Sequence, residues 1–484
     1  MASYITLVLW VVVAELLRRL VLALKVAFTG PLSKIPGPTL FKITSLPWII
    51  ENITGNCMNT LPALFEKYGD VVRLGPKDVI FRETAAVQQI LVEDDLIKSP
   101  IYKAIRPYPE ITSLITETNK AKYKQKRRLL SPGFAISYLN ALEPQVKACI
   151  QVFEDWLDAE CSKGNGYTIV DMSNMMGNLT FDIMSATSFG GSFNLVTSND
   201  KKLKTLFHDR MKRAAIDAQF PFIKYLPFVP PSQSEEFNSM IDGIIAKRRA
   251  EKGPPKKDLI QIFLESNDAD PVAFSHLHVR EEMSLFMMAG SDTSAVTLTH
   301  TYMLLVNTPD SMRKLVAEID TAFPSKNDPI TFANTQDLPY LNACINESMR
   351  HSPILATGLA RYTTETTMIG NYEIPPEVIV SPAIGLMMRD PRIWPDPNDY
   401  VPERWLGNYK GVEVDRKAFL PFSAGSRNCP GQQFALREMR LILSTIIRRY
   451  EMTLIPGQSH EQRVHTVPWF VQGFYNVGLK PREK

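Results

Sequence analysis

The sequence lacks several features that mark other classes of protein. Its five cysteines are widely separated and none falls in a C-x-x-C pair, which argues against a disulfide framework or a zinc site and fits a reducing compartment. The net charge is only +3, so nothing points to a nucleic-acid partner. We find no internal repeat, no low-complexity segment and no glycine-rich dinucleotide fingerprint opening a βα unit. At 484 residues, the chain should form several domains or one unusually large fold.

One of the cysteines, Cys429, lies in an unusual loop that spans residues 422–431. A helix-like run over 432–450 follows at once, and backbone N–H groups at a helix N-terminus favour a thiolate, which can bind iron. The glycines of the loop permit positive φ angles and the close approach of a flat cofactor. Arg427 offers a fixed fork of donors for a carboxylate. For a cysteine taken alone, a structural residue in a glycine-rich turn would be the simpler interpretation.

A second unusual stretch lies in a predicted helix over 279–306, which at about 1.5 Å per residue would be about 40 Å long. Glycine in mid-helix costs about 1 kcal/mol against alanine, so we interpret Gly290 as leaving room for a small molecule. Thr293 lies on nearly the same face and can bond back to the preceding turn, while Asp292 places an acid beside that hydroxyl. A small-residue contact between helices is the alternative interpretation of Gly290.

The cysteine loop resembles a known haem-binding loop. The spacing Phe422-x-x-Gly425-x-Arg427-x-Cys429-x-Gly431 is similar to that of the cytochrome P450 family of haem-thiolate monooxygenases, in which the cysteine is the axial iron ligand. Three further motifs follow the family's order: Ala289-Gly290-Ser291-Asp292-Thr293, Glu347-Ser348-Met349-Arg350 and Pro402-Glu403-Arg404-Trp405. The resemblance implies a mainly α-helical fold with a small β region, in which haem b lies between the helix of Gly290 and the helix after Cys429.

The resemblance also implies roles for individual residues. Dioxygen handling and proton delivery are expected of Ala289, Gly290, Asp292 and Thr293. The expected haem contacts are Cys429 as iron ligand, with Phe422, Gly425, Arg427 and Gly431 in its loop, and Tyr123, Arg127 and Arg361 toward the propionates. Tyr123 departs from the family, where tryptophan or histidine is usual. Glu347, Arg350 and Arg404 are expected to form a buried structural network, although an exposed helix pair would be worth little. Substrate-pocket candidates are Tyr102, Ile105, Phe286, Ala356, Thr357, Gln472 and Phe474.

The first 28 residues are mostly apolar, but Glu15, Arg18 and Arg19 interrupt them. The run exceeds the roughly 20 residues needed to cross a bilayer, yet the charges make it a poor span. Two interpretations stay open, a membrane anchor that spans or lies in the interface and an amphipathic helix packed on the protein. The basic residues place the body of the protein on the cytosolic side of an endoplasmic reticulum membrane. We therefore expect an anchor over 1–30, a proline-rich hinge over 31–38 and a catalytic domain over 39–484.

These implications lead to an expected reaction. A lipophilic small molecule such as a steroid, a terpenoid or a polyketide-like aromatic would be hydroxylated or epoxidised with O2. Electrons from NADPH would come through a separate flavoprotein reductase, with cytochrome b5 as a further donor, and the sequence resembles microsomal, fungal members that serve secondary metabolism. A haem-thiolate isomerase or dehydratase without a reductase is the alternative, against which Asp292 and Thr293 argue. A haem-binding sensor without turnover would need no oxygen groove.

Overall fold

The structure is a computed structural model that describes residues 2–229, 235–253, 258–325, 327–355, 357–407 and 409–483. Its helices are α1 Ala2–Phe28, α2 Thr39–Ile43, α3 Leu46–Ile53, α4 Cys57–Tyr68, α5 Thr84–Gln88, α6 Ile101–Ala104, α7 Lys120–Leu130, α8 Ile136–Ala141, α9 Glu143–Lys163, α10 Met172–Phe189, α11 Leu195–Ser198, α12 Lys201–Gln219, α13 Glu235–Ala250, α14 Leu259–Ala269, α15 His276–Asn307, α16 Pro309–Ala322, α17 Phe332–Gln336, α18 Pro339–His351, α19 Ile384–Met387 and α20 Gln432–Arg449. Its strands are β1 Val71–Gly75, β2 Asp78–Phe81, β3 Ile97–Lys98, β4 Thr168–Asp171, β5 Arg361–Tyr362, β6 Thr367–Ile369, β7 Tyr372–Ile374, β8 Ile379–Pro382, β9 Tyr450–Leu454, β10 Gln462–Val464, β11 Pro468–Phe470 and β12 Asn476–Pro481. The mainly helical fold with a small β region matches the expectation from the sequence.

The described residues form two compact units. The first unit contains the chain up to Ser99 together with Leu355–Met387 and Ser423–Arg427. The second unit contains Pro100–Ile354, Met388–Phe422 and the chain from Asn428 onward.

The first unit is built on a five-stranded sheet in the order β1-β2-β8-β5-β3. Strand β2 pairs with β1 in antiparallel and with β8 in parallel register, and β5 is antiparallel to both β8 and β3. Leu61 and Phe65 of α4 pack against Val72 and Ile80 of the sheet to form its core. Strands that are far apart in sequence therefore lie side by side.

The end of α1 is fastened to this sheet by a buried arginine. Arg73 on β1 is fully buried, and its guanidinium donates to the carbonyls of Val26, Ala27 and Leu32 at 2.9, 3.2 and 2.9 Å. Further bonds reach the carbonyls of Gly75 and Pro76. The carbonyl end of a helix attracts a cation, so this arginine caps α1 from outside the helix. The proline-rich segment 31–38, expected as a hinge, packs here with Leu32 and Ile35 buried.

The rest of α1 is exposed and apolar. Leu9 and Trp10 are exposed by more than 60%. Glu15 pairs with Arg18 and Arg19 one turn further on, at 2.7 and 2.8 Å. Among the residues that the structure describes, no helix combines the length and apolarity needed to cross a membrane.

The second unit is a helical body around α15. This helix has 32 residues, so it is about 48 Å long, and α10, α14, α18 and α20 pack against it. It begins three residues earlier than the sequence predicts because Ser275 and His278 form a capping box at its N-terminus. At its other end Thr308 and Pro309 begin α16. A three-stranded antiparallel sheet in the order β4-β12-β9 closes one side of this unit.

Candidate active site

The cysteine loop presents a sulfur at the start of α20. The backbone N–H of Cys429 donates to the carbonyl of Phe422 at 2.9 Å, and Gly431 is the N-cap of the helix. Of the five cysteines, all of which the structure describes, Cys429 alone is not buried. The residue Cys429 is therefore less buried than the other four cysteines.

Two opposing influences act on the Cys429 thiol. Burial raises its pKa, whereas the backbone N–H groups of Gly431 and Gln432 and the guanidinium of Arg127 lower it. Burial has the larger effect, so the net pKa lies above the ordinary value for cysteine. The helix N-terminus thus lowers the pKa of Cys429, as predicted, but by less than burial raises it.

The two glycines of the loop have different functions. Gly425 has φ of +75°, and a Cβ at this position would lie 1.8 Å from the carbonyl oxygen of Leu91, so no other residue fits. Gly431 has φ of −81°, and a Cβ there would be 3.9 Å from the Cys429 sulfur, an ordinary contact. The positive φ that the sequence suggested for this loop is therefore adopted at Gly425 and not at Gly431.

Helix α7 brings a cation to the cysteine loop. Arg127 donates to the backbone carbonyl and to the side-chain oxygen of Asn428 at 3.0 and 3.2 Å, directly before Cys429 in the chain. Tyr123, one turn earlier, is buried in the core. The roles of Tyr123 and Arg127 toward the propionates stay predictions.

The other predicted propionate contacts belong to the first unit. Arg361 on β5 is buried and donates to the carbonyl of Leu359 at 2.8 Å. Arg427 is also buried, at the end of a short helical turn over 425–427. The roles of these two arginines toward a cofactor stay predictions.

One face of α15 is accessible although most of the helix is buried. Ala289 is exposed in mid-helix, and Leu285, Met288 and Thr293 on the same side are partly exposed. The Thr293 hydroxyl donates to the carbonyl of Ala289 at 2.7 Å, the bond to the preceding turn that the sequence suggested. A flat cofactor with a thiolate ligand needs an apolar face and a sulfur on neighbouring elements, and α15, which carries the accessible face, packs against α20, the helix that begins three residues after Cys429. The residues present therefore fit a haem.

Gly290 corrects one interpretation made from the sequence. A Cβ at Gly290 would lie 2.5 Å from the sulfur of Met184 on α10. The space beside this glycine is thus filled by a neighbouring helix and not left free for a small molecule. The alternative, a small-residue contact between helices, describes Gly290 better because α10 and α15 pack along each other here.

Asp292 has a neighbour that the sequence gave no reason to expect. Its Oδ1 lies 3.7 Å from Nε2 of His208 on α12, and the imidazole packs edge-on against Trp469 of β11 at 5.2 Å between ring centroids. His208 precedes Asp292 by 84 positions, and no local pattern marks it. Only the fold brings the two side chains together.

The predicted Glu347, Arg350 and Arg404 lie together in a buried network. Arg350 donates to both carboxylate oxygens of Glu347 at 2.9 and 2.8 Å, and Arg404 adds a bond of 3.0 Å. The indole of Trp405 and the N–H of Val401 also donate to this carboxylate, each at 3.0 Å. The remaining guanidinium donors reach backbone carbonyls of residues 388, 395, 396, 397 and 399. The network thus joins α18 to the segment that leads toward the cysteine loop.

The substrate-pocket candidates are dispersed. Phe286 packs between Phe134 and Phe263 at 5.6 and 5.7 Å, inside the aromatic core and not on the accessible face of α15. Tyr102 is buried on α6, whereas Ile105 after it is partly exposed. Ala356 lies outside the described residues, and Thr357 is partly exposed in the first unit.

Gln472 and Phe474 lie in the connection between β11 and β12. These two strands do not pair with each other, because β11 pairs with β10 whereas β12 joins β4 and β9. The Gln472 amide donates to the carbonyl of Phe474 at 2.9 Å and accepts from the N–H of Ser459 at 3.1 Å. This glutamine orders its own loop, and its contact with a substrate stays a prediction.

Comparison with known proteins agrees with this site. Residues 35–478 match the family model for cytochrome P450. The chain is 34% identical to cytochrome P450 monooxygenase acrD of Aspergillus aculeatus over 89% of this chain and 87% of that protein. It is 32% identical to FUS8 of Gibberella moniliformis, covering 94% and 89%, and 34% identical to mpsF of Macrophomina phaseolina, covering 77% and 92%, both named cytochrome P450 monooxygenases. With the cysteine loop and the helical fold, these matches show that the chain belongs to the cytochrome P450 family and is a monooxygenase.

Proposed function

We propose that this protein hydroxylates or epoxidises a lipophilic small molecule, of steroid, terpenoid or polyketide-like aromatic type, with O2 and electrons derived from NADPH. The observation that carries the proposal is the position of Cys429 just before the N-terminus of α20, the helix that packs against α15, whose accessible face carries Thr293. Fungal relatives that are named monooxygenases support the same reaction. When bound, haem b supplies the redox chemistry that activates dioxygen.

The residues of this chain would bind the cofactor, position dioxygen and hold the substrate. Cys429 would hold the iron, and Arg127, already directed at the cysteine loop through Asn428, would neutralise a carboxylate of the cofactor. Tyr123, Arg361 and Arg427 are the further candidates for that task. Thr293 and Asp292 would position dioxygen and hold protons, and Ala289, Met288 and Leu285 would present an apolar surface to the substrate.

The electron donor would be a separate NADPH-dependent flavoprotein reductase, with cytochrome b5 as a second donor. Lys122, Lys124 and Arg128 are exposed on α7, the helix that places Arg127 on the cysteine loop. A cationic surface there suits an acidic partner, because complementary charge mainly speeds encounter. The exposed apolar side chains of α1 support attachment to the endoplasmic reticulum membrane with the catalytic part in the cytosol.

The isomerase or dehydratase alternative lacks a supporting observation. Such an enzyme has no need for an acid and an alcohol side by side, whereas Asp292 and Thr293 occupy consecutive positions and the Thr293 hydroxyl is partly exposed. Consumption of NADPH that depends on the reductase and is coupled to product formation would separate the two activities.

The haem-thiolate part of the proposal is tested by the absorption spectrum of the reduced protein under carbon monoxide. We expect the Soret band to move far to the red, since a thiolate opposite the gas produces that displacement. Cys429→His should lose the displaced band, whereas Cys149→Ala, which removes a buried thiol of the same unit, should keep it. A purified protein without the displaced band, or a Cys429→His protein identical to the unmodified one, would contradict the proposal.

A further inference from the structure

His208 and Asp292 form a pair between two helices. Oδ1 of Asp292 on α15 and Nε2 of His208 on α12 are 3.7 Å apart, slightly beyond a direct hydrogen bond. A small movement of the ring or of α12 would close that distance, and one water could also bridge it. Asp292 precedes Thr293, so the pair reaches the accessible face of α15 through a neighbouring residue.

The two side chains differ in their access to water. The side chain of His208 is 32% exposed, whereas that of Asp292 is 9% exposed. The Asp292 carboxyl therefore has little direct contact with bulk water from which it could take up a new proton. The His208 imidazole is in contact with solvent and can be reprotonated there. Trp469 packs against the ring edge-on and restricts its orientation, which keeps Nε2 directed at the carboxyl.

The charged surroundings of His208 are mixed. Asp292 faces it from α15. Lys204, one turn before it on α12, donates to the side chain of Asn174. Lys212, one turn after it, lies 3.9 Å from Asp209, and Arg463, opposite Trp469 in the β10–β11 pair, is 2.9 Å from Glu461. Asp292 is therefore the charged group that the structure pairs with the ring.

We propose that His208 relays protons from solvent to Asp292 during the reduction of dioxygen. The proposal rests on the monooxygenase function proposed above, and it assigns His208 as a positioning residue that acts through Asp292. In each cycle the N–H bond at Nε2 breaks, an O–H bond forms on the Asp292 carboxylate, and the ring takes a proton from water. No electron moves in this step. Histidine suits the task because its side chain titrates between roughly pH 5 and 8.

The consequence can be measured without an organic substrate. One electron from NADPH converts O2 into superoxide, whereas two electrons and two protons convert it into hydrogen peroxide. A shortage of protons therefore raises the share of consumed oxygen that leaves as superoxide. The probes are NADPH, air and an excess of a microsomal NADPH reductase, with the haem-loaded full-length protein and a correction for oxygen consumed by the reductase alone.

We expect His208→Gln to raise the ratio of superoxide to peroxide about tenfold at pH 6, a modest part of the 10²–10⁴-fold that a positioned acid or base contributes. In the unmodified protein this ratio should rise as the pH increases from 5.5 to 8.5, because the ring loses its proton. In His208→Gln the ratio should be high and nearly independent of pH. The double variant with Asp292→Asn should be no worse than Asp292→Asn alone, since both changes interrupt one path.

His276→Gln is the matched control. His276 lies at the start of α15, the helix that carries Asp292, and its Nε2 is 2.9 Å from the Asp242 carboxylate. Both side chains of this pair are well exposed. This variant should keep the ratio and the pH profile of the unmodified protein. His208→Asn is made in parallel, and only variants that retain the carbon monoxide band of the unmodified protein are compared, so that misfolding cannot imitate the result.

Two outcomes would overturn the inference. One is an unchanged ratio and pH profile in both His208 variants. The other is an increase by the same factor at every pH, which would assign His208 a packing role against Trp469. Failure of the proposed monooxygenase function is distinguishable, because the unmodified protein would then show no reductase-dependent consumption of NADPH.

Discussion

At the scale of single residues, Glu438 is the most unusual titratable group outside the candidate site. It lies on α20, nine positions after Cys429, and is fully buried. Among the described residues, neither of its carboxylate oxygens has a hydrogen-bond partner. Burial raises the pKa of Glu438 to about 8, with only a small opposing effect from the Ser294 hydroxyl on α15. This carboxyl is therefore protonated at neutral pH in the folded protein.

The raised pKa predicts that stability falls with rising pH. Between pH 4.5, the ordinary value, and about 8, the folded protein holds a proton on Glu438 that the unfolded chain releases. The stabilisation is complete below the unfolded pKa and is lost as the pH rises toward the folded pKa, by about 1.4 kcal/mol per pH unit. Glu438→Gln, which cannot titrate, should remove the part of this slope that Glu438 contributes. The free energy of unfolding at pH 5.5, 6.5 and 7.5 checks it.

Glu265→Gln provides the control for Glu438→Gln, because Glu265 is exposed on α14 and its substitution changes the net charge equally. It should leave the pH dependence of the unmodified protein in place. A Glu438→Gln protein with the same slope as the unmodified protein would show that another group causes it.

The residues that could be identified from the sequence were those whose chemistry is local. Cys429 and Arg427 share one loop, and Thr293 bonds to the turn just before it, so their spacing alone carries the information. His208 and Met184 act on the central helix across 84 and 106 positions, and a single sequence holds no record of such contacts. Sequence analysis therefore found the acid at 292 but not its neighbour, and it misinterpreted the space beside Gly290.

At the scale of elements, the buried Glu347 carboxylate holds α18 and the segment over 388–405 together. Glu347→Gln keeps the shape of the side chain but leaves Arg350 and Arg404 without a counter-charge in the core. Breaking one partner of a buried pair costs about 3–5 kcal/mol. We expect a loss of stability of this size, measured as the free energy of unfolding, with a lower yield of haem-loaded protein.

Glu403→Gln is the comparison for this prediction. Glu403 pairs with Lys314 at 2.5 Å near the surface, where an ion pair is worth about 0–1 kcal/mol. Similar losses from the two variants would mean that burial of the network contributes little.

Element boundaries were predictable where caps are common and less so elsewhere. Helix α18 begins at Pro339, in agreement with the preference of proline for the first turn of a helix. The start of α15 was missed because histidine replaces the usual glutamate or glutamine of a capping box. The pairing of β12 with β4 and β9 was also missed, since the partners of short strands depend on the whole fold.

At the scale of the whole molecule, the fold class followed from four motifs in the right order, and the family match over 35–478 confirms it. The division of the chain into two units and the strand order of the first unit could not be predicted from these motifs. The sheet of the first unit combines strands from residues 71–98 with strands from 361–382, and no composition shift in the chain marks that return. The boundary expected at residue 30 also gives no indication that Arg73 donates hydrogen bonds to carbonyls on both sides of it, those of Ala27 and Leu32.

The Arg73 contacts have a consequence for shortened versions of the chain. Deleting residues 2–30 removes the Val26 and Ala27 carbonyls that this guanidinium uses, and we expect a loss of about 1–3 kcal/mol in the free energy of unfolding. Deleting only residues 2–20 keeps both acceptors and should leave that free energy unchanged. Arg73→Met should lower the free energy of unfolding less in the protein that lacks residues 2–30 than in the full chain. Equal losses in the two backgrounds would contradict an energetic coupling between Arg73 and the end of α1. A soluble version made for crystallisation should therefore begin before Val26, because the last turn of the first helix belongs to the folded body.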